Sequence, residues 1–345
     1  MASRSPASIR DVAERAGVAL GTVSNVLNRP ERVAEATRLR VLTAIAELGF
    51  VRNDAARQLR AGKSRTLALV VLDVRNPFFT DLGRGAEERA AEAGLSVLLG
   101  NSDELPEREA VYLDLFEEQR VLGLLISPIG DVYARLHRLR ERGTATVLVD
   151  RRAEGRPFSS VSVDDVAGGY TAVSHLIEQG CRRIAFVGGP LNILQVADRL
   201  QGANQAVAEH RGVQLEVLSQ AGLTVHNGRS IGVGIVERRS EQRPDGIFAA
   251  NDLLAVGLLQ SFTMLSDVVV PSDIALVGYD DIDFASATVV PLSSIRQPSA
   301  LIGRTAVDLL LQEVAAEDAG LEFTHEQVVF QPELIVRESS TRPTR

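Results

Sequence analysis

The amino-acid sequence predicts a two-part chain: an all-α helix-turn-helix head at the N-terminus, followed by an α/β two-lobed body built on parallel sheets. Three observations predict it. The first 65 residues hold twelve basic against six acidic side chains, a surplus of +6, whereas the whole chain carries −8 and the remainder therefore −14. Apolar residues in the first fifty positions recur with a period near 3.6. From Leu67 onward, short aliphatic runs alternate with amphipathic helical stretches.

At 345 residues, 45% of them hydrophobic, the chain is long enough for two or three domains at about 150 residues each. The opening MASRSPASIRDVAERAG has no apolar run that could serve as an export signal, and no later stretch is long enough to cross a bilayer; a cytoplasmic location is expected. The single cysteine, Cys181, lies before the apolar run Ile184–Val187, where a buried structural thiol is expected.

In the head, Ile9, Val12, Ala13 and Ala16 follow the i, i+3, i+4, i+7 spacing of one helix face, with Ser8 as cap and Gly17 as stop. A second short helix turns Val23, Val26 and Leu27 inward and ends near Asn28, before the loop Arg29-Pro30-Glu31. A third, Thr37 to Leu48, is expected to bury Leu39, Leu42, Ile45 and Leu48 ahead of Gly49. The tight Gly17-Val18 connection makes the first two a helix-turn-helix and leaves the second free to enter a groove. Its outward Thr22, Ser24, Asn25 and Asn28 are uncharged donors and acceptors suited to phosphate oxygens and base edges. The same residues would serve as a plain polar face. Arg4, Arg10, Arg15, Arg29, Arg32, Arg38 and Arg40 favour the nucleic-acid reading, because phosphate neutralisation needs cations nearby.

The segment NDAARQLRAGKSRT, residues 53–66, sets one large aliphatic, Leu59, among Arg57, Arg60, Lys63 and Arg65. Such a leucine either packs on the neighbouring domain or, paired with a symmetry mate, wedges into a minor-groove base step.

In the body, strands are expected at Leu67–Leu72, Leu95–Leu99, Val121–Ser127, Ala145–Val149, Ser160–Val163, Arg183–Val187, Gly246–Ala250 and Ile274–Gly278. Helices such as Phe79–Ala93, Val166–Gln179, Arg199–Arg211, Leu253–Ser266 and Leu301–Ala316 lie between them. Aliphatic strands without strict alternation imply parallel sheets covered on both faces. Their number implies two sheets, with chain crossovers near 150–165 and 280–300.

Polar residues gather just past the carboxyl ends of these strands, where open parallel sheets bind ligands. They are Asp73 with Asn76-Pro77-Phe78-Phe79, Asp150-Arg151, Asn251-Asp252, and Asp280-Asp281 with Asp283; Arg199 opens a helix after another strand. Carboxylates, amides and a guanidinium hold hydroxyls or a carboxylate, and Phe78 offers a face for a flat or sugar-like ring. Each Asp at a strand end is, taken singly, equally a helix cap. Enzymatic signatures are weaker: VGGP at 187–190 lacks the spacing of a dinucleotide loop, the body has no Walker lysine or G-x-S-x-G elbow, and its five histidines are scattered. No catalytic residue, metal site or cofactor is expected.

These residues resemble the lactose-repressor (LacI) family of bacterial transcription regulators over nearly the whole chain. SIRDVAERAGVALGTVSNVLN is similar to its helix-turn-helix and FVRNDAARQLRAGKSRTLALVV to its hinge helix and the start of its core. PFF, VSVDD, RLQGANQAV, GIFAANDLLAVGLLQ, ALVGYDDIDFA and SSIRQP resemble its periplasmic-binding-protein-like effector body. The resemblance implies base contacts from Leu20, Gly21 and Asn25, and backbone contacts from Thr22, Ser24 and Asn28. It adds the hinge residues Asn53, Ala56, Arg57 and Leu59 to the DNA-binding set, with Leu59 as the minor-groove wedge. In the cleft, Asp73, Phe78, Phe79, Asp150, Arg199, Asn251 and Asp280 match or adjoin effector-contacting positions. Ala19 stands where the family usually has a capping Ser or Thr, Asn25 replaces the commoner Arg, and Arg52 a common proline; these departures bear on which operator is read.

The expectation is therefore a helix-turn-helix head at 1–52, a hinge at 53–65 and a two-lobed effector-binding and dimerisation body at 66–345. The protein is expected to be a homodimeric repressor of a near-palindromic double-stranded DNA operator, with affinity set by a small-molecule effector, a carbohydrate. Two rivals, a sugar-binding transport protein and a dehydrogenase or kinase, leave the basic N-terminus without a use.

Overall fold

The structure, a computed structural model, describes residues 7–50 and 64–342. Asn53, Ala56, Arg57 and Leu59 lie outside the described residues. The chain divides into two compact units, one ending at Ser64 and the other beginning at Arg65.

Among the described residues, the first unit holds three helices, α1 (Ile9–Ala16), α2 (Leu20–Asn28) and α3 (Glu35–Leu48), with a 3₁₀ turn at Pro30–Arg32. Helix α1 starts with a reciprocal capping box: Asp11 N–H donates to Ser8 Oγ, and Ser8 N–H donates to Asp11 Oδ2 at 2.7 Å. It stops at Gly17 in the left-handed conformation (φ 62°), where a side chain would be strained. Helix α2 starts at Ala19, which gives it no side-chain cap. Val12, Val23 and Val41, one from each helix, are fully buried at the centre of this small core.

Helix α3 departs from the sequence expectation. Its buried face is Val41 and Ala44, with Ile45 and Leu48 packed beside them, while Leu39 and Leu42 are about half exposed. The expected stripe steps by three throughout and drifts off one side of a 3.6-residue helix. The observed 41, 44, 45, 48 spacing stays on one face.

The second unit contains two six-stranded sheets with the same strand order. The first runs β11 (Gln327–Phe330), β5 (Ser159–Val163), β4 (Ala145–Val149), β3 (Gly123–Ile126), β1 (Thr66–Val71), β2 (Ser96–Asn101). The second runs β12 (Glu333–Ile335), β10 (Ser293–Arg296), β9 (Ala275–Asp280), β8 (Gly246–Ala249), β6 (Arg183–Gly188), β7 (Gln214–Ser219). All pairings are parallel except β10 with β12. The sheets carry helices α4 (Pro77–Glu92), α5 (Pro106–Glu118), α6 (Tyr133–Glu141), α7 (Asp165–Glu178), α8 (Leu194–Ala208), α9 (Val225–Val236), α10 (Asp252–Leu265) and α11 (Ser299–Asp318).

Three helix pairs meet through reciprocal glycines: Gly85 and Gly303 join α4 to α11, Gly169 and Gly202 join α7 to α8, and Gly228 and Gly257 join α9 to α10. A Cβ at any of the six would overlap backbone of the facing helix. At these points each pair packs backbone against backbone.

The chain crosses between lobes three times: at Asp164 between β5 and α7, at Gln297-Pro298 between β10 and α11, and at Gln331-Pro332 between β11 and β12. Two crossovers are expected from the sequence and the third is not. It also explains the lone antiparallel pairing. Strand β11 runs with β5 toward the cleft, so the chain enters the second lobe from its cleft side and β12 must run against its neighbours.

Cys181 is fully buried, its Sγ–H donating to the Asp245 carbonyl at 3.3 Å, and burial pushes its thiol up to about 11.

Candidate functional site

Parallel strands end at the same edge of a sheet, and in this body those edges of the two sheets face each other across a cleft. Its walls include Asp73, Asn76, Phe78, Phe79, Glu104 and Asp150 from the first lobe, and Gln195, Arg199, Asn251 and Asp280 from the second. Leu72, Ile193, Val196, Leu223 and Leu253 supply the apolar part. All seven effector residues expected from sequence line this one cleft.

The cap alternative separates them. Asn251 does cap α10, accepting from Leu254 N–H at 2.9 Å, while its amide donates to the Leu223 carbonyl at 3.0 Å. Asp73 closes a turn, its Oδ1 accepting from Arg75 N–H at 3.0 Å and from Arg75 Nε at 2.9 Å. Asp150 and Asp280 cap nothing. Both adopt positive φ, 55° and 105°, a conformation that a non-glycine residue keeps only when its surroundings hold it. Phe78 and Phe79 meet edge to face, with ring centroids 5.0 Å apart.

Arg199 sits in the second turn of α8, not at its start. The helix begins five residues earlier than its apolar periodicity suggests, because Gln195 and Asp198 interrupt the pattern. Its Nε donates to Asp165 Oδ1 at 2.8 Å, its Nη1 donates to the Ala250 carbonyl at 2.7 Å, and its guanidinium lies 3.7 Å from the Tyr279 ring centroid. Burial opposes this charge, but Asp165, Tyr279, Asp280 and Asp150 outweigh it and raise the arginine further.

The carboxyl groups are raised too, which for them favours the uncharged form. Burial, offset in part by Arg199, Asn76 and Gln297, brings Asp280 up to about 6. Burial, with the neighbouring Asp165 adding repulsion, drives Asp150 well above the usual range. Glu104 is pushed up to about 7 by burial and by Asp73. Asp150 Oδ1 is buried and receives no hydrogen bond among the described residues. Asp150 Oδ1 is thus an open hydrogen-bonding position in the cleft, which a ligand hydroxyl can meet.

Sequence reasoning did not single out Glu104, Asp165, Gln195 or Gln297 as site residues. Asp165 and Gln297 lie in VSVDD and SSIRQP, so a signal existed for both. Glu104 and Gln195 reach the cleft through loop and helix placement that no local pattern records.

On the head, Leu20, Gly21, Asn25 and Asn28 are exposed on α2, and Thr22 and Ser24 are partly so. A Cβ built on Gly21 would meet nothing within 4 Å. Asn28 Nδ2 donates to the Ser24 carbonyl at 2.9 Å. The opposite side of the helix carries the buried Val23 and Val26, so the polar residues form a continuous outward face.

Residues 8–53 match the model of the lacI family of bacterial regulatory proteins, and residues 173–340 match a periplasmic binding protein-like domain. The transcriptional repressor PurR of Photobacterium profundum is 33% identical over 96% of this chain and 98% of its own. The chain belongs to the LacI family. The ribose operon repressor of Bacillus subtilis is 35% identical over 88% of this LacI-family chain and 91% of its own. A lac repressor dimer bound to operator and the anti-inducer ONPF matches with a TM-score of 0.81 and 27% identity, over 98% of this chain and all of that one. This LacI-family member is accordingly a DNA-binding transcriptional regulator with a two-lobed body of the periplasmic-binding-protein kind.

Proposed function

We propose that this regulator binds a near-palindromic operator as a cytoplasmic homodimer, and that a small carbohydrate in the interlobe cleft sets its affinity. The observation that carries the effector half is the convergence of Phe78, Asp150, Arg199, Asn251 and Asp280, from both lobes, on one cleft. A ligand touching both lobes favours one lobe arrangement over another, and a difference of a few kcal/mol in affinity is enough to shift occupancy.

In the head, Leu20, Gly21 and Asn25 read bases, and Thr22, Ser24 and Asn28 hold the backbone. The hinge residues Asn53, Ala56, Arg57 and Leu59 extend the contact, with Leu59 as the minor-groove wedge; their assignment rests on the family resemblance. The dimer face is the edge of the first sheet, where Leu98 and Leu99 on β2 and Val111 and Leu115 on α5 are exposed apolar side chains. No catalytic role is assigned to the cleft, in keeping with relatives that are transcriptional regulators.

The test is a panel of pentoses, hexoses and nucleosides screened by thermal shift on the full chain, followed by fluorescence anisotropy with duplex DNA. One compound is expected to raise the melting temperature and also change DNA affinity. A compound that stabilises the body and leaves DNA affinity untouched would contradict the reading.

A further inference from the structure

Strand β9 runs into two consecutive non-glycine residues with positive φ, Asp280 at 105° and Asp281 at 52°. Such a turn persists only where its surroundings hold it. Here the hold comes from behind the cleft wall. Ile282 N–H donates to Asp252 Oδ2 at 2.9 Å, Asp281 N–H donates to Ser294 Oγ at 3.0 Å, and Ser294 Oγ–H donates to Asp252 Oδ1 at 2.7 Å. The two oxygens of one carboxyl group thus collect two successive backbone amides of the turn, one directly and one through a hydroxyl. Asp252 and Ser294 are both fully buried.

We propose that Asp252 is a positioning residue of the ligand cleft: with Ser294 it fixes the turn after β9 and so aims the Asp280 carboxyl group into the cleft, without itself touching the ligand. Asp252 is the first residue of α10, and Asn251 before it caps that helix and lines the cleft. One dipeptide therefore gives its first side chain to the cleft and uses its second to brace another cleft residue. Gly278 makes room for the brace. It pairs with Ser294 across β9 and β10, and a Cβ there would overlap Asp252 Oδ1. Asp281 is tied down separately, its Oδ2 accepting from Arg296 Nε at 2.8 Å and its Oδ1 lying 2.6 Å from Arg337 Nη1. Asp280 is left to the cleft, where Asn76 Nδ2 and Gln297 Nε2 each donate to it at 2.8 Å.

The first lobe shows that the fold itself does not require this brace. Strands β4 and β9 hold the same place in the two sheet orders, as do β5 and β10. Asp150 follows β4 with φ 55°, and Ser160 on β5 stands where Ser294 stands on β10. The Ser160 hydroxyl accepts from Ala153 N–H at 3.3 Å but donates to no carboxyl group among the described residues, and Leu148 takes the place of Gly278. Asp252 serves one strand end, not the architecture common to both. The inference rests on the cleft being the ligand site, and its test uses no ligand, so it is decided separately from the identity of the effector.

Aspartate-selective carbon-13 labelling of the full-length protein reads the titration of Asp280, its signal assigned with Asp280→Asn. In the wild type, burial brings that carboxyl group up to about 6. A loosened turn lets it reach water, so Ser294→Ala, which removes a hydroxyl and no charge, should lower the midpoint by about one pH unit or more. Asp252→Ala should do the same. Asp252→Asn keeps an oxygen for Ile282 N–H and offers an NH2 to Ser294 Oγ, and should titrate close to the wild type. General destabilisation without displacement of Asp280 would leave every midpoint in place. A wild-type midpoint in Ser294→Ala, or a fall in Asp252→Asn as large as in Ser294→Ala, would overturn the proposal.

Discussion

Arg199 and Asp165 form an ion pair in which Nε donates at 2.8 Å and both side chains are buried. Helix α8 carries the arginine and α7 the aspartate, and the glycine contact at Gly169 brings the two helices close enough for the pair to form. Arg199→Ala is expected to leave a buried carboxylate unpaired and cost about 3–5 kcal/mol in urea unfolding. Arg199→Ala combined with Asp165→Asn should recover most of that stability. The double variant should still bind DNA but lose its effector response; a normal response in anisotropy titrations would remove Arg199 from the effector site.

Gly21 costs helix α2 stability, and a Cβ at this position would meet nothing within 4 Å among the described residues. Gly21→Ala should therefore raise head stability by up to about 1 kcal/mol and at the same time weaken DNA binding, because the added methyl stands on the exposed face proposed above to meet the duplex. Unfolding and anisotropy measurements on one preparation check both signs. Increases in both quantities would show that the glycine is not kept for close approach.

Helix α2 also lacks a capping side chain at Ala19, whose φ and ψ of −68° and 152° already suit a cap. Ala19→Ser should add about 1 kcal/mol to the head without any rearrangement. Chemical denaturation followed by circular dichroism would detect it, and no gain would mean that the first amide groups of α2 are already satisfied.

Glu313 on α11 is fully buried 3.2 Å from Arg140 Nε, and burial pushes it up to about 7 against the pull of that arginine. Its folded value exceeds its unfolded one, so its contribution is complete below about pH 4.5 and is lost as the pH rises through about 7. His325 works in another window. Burial and Arg140 lower it to about 4, so its contribution holds above pH 6.5 and fades as the pH falls toward 4. Between pH 6 and 8 the unfolding free energy should fall, and Glu313→Gln should reduce that fall by an amount on the order of 1 kcal/mol. An unchanged slope in the variant would place the titration elsewhere.

Much of this architecture is legible in the sequence. The eight expected strands of the body all form, because buried parallel strands read as aliphatic runs. Strand β7 is not legible because it is an edge strand whose Gln214, Glu216 and Ser219 break the run, and β10, β11 and β12 are only four, four and three residues long. Leu39 and Leu42 misled because leucine weighs more than alanine in any apolar pattern, whereas the crowded centre of the head takes Ala44.

The candidate site divides in the same way. Asp150 and Asp280 were visible because they stand at strand ends, where position in sequence fixes position in the cleft. Gln195 and Glu104 were not, since their place depends on how one lobe faces the other. The Asn76–Asp280 bridge spans 204 residues of chain and leaves no local trace.

The measurement that bears most directly on the account is selection of duplexes from a random pool by the full-length protein, with the winning sequence then titrated at several salt concentrations. The account predicts enrichment of a two-fold symmetric site and a steep linear fall of log affinity with log salt, as for a protein neutralising several phosphates. A pool that stays random, or an affinity indifferent to salt, would contradict it.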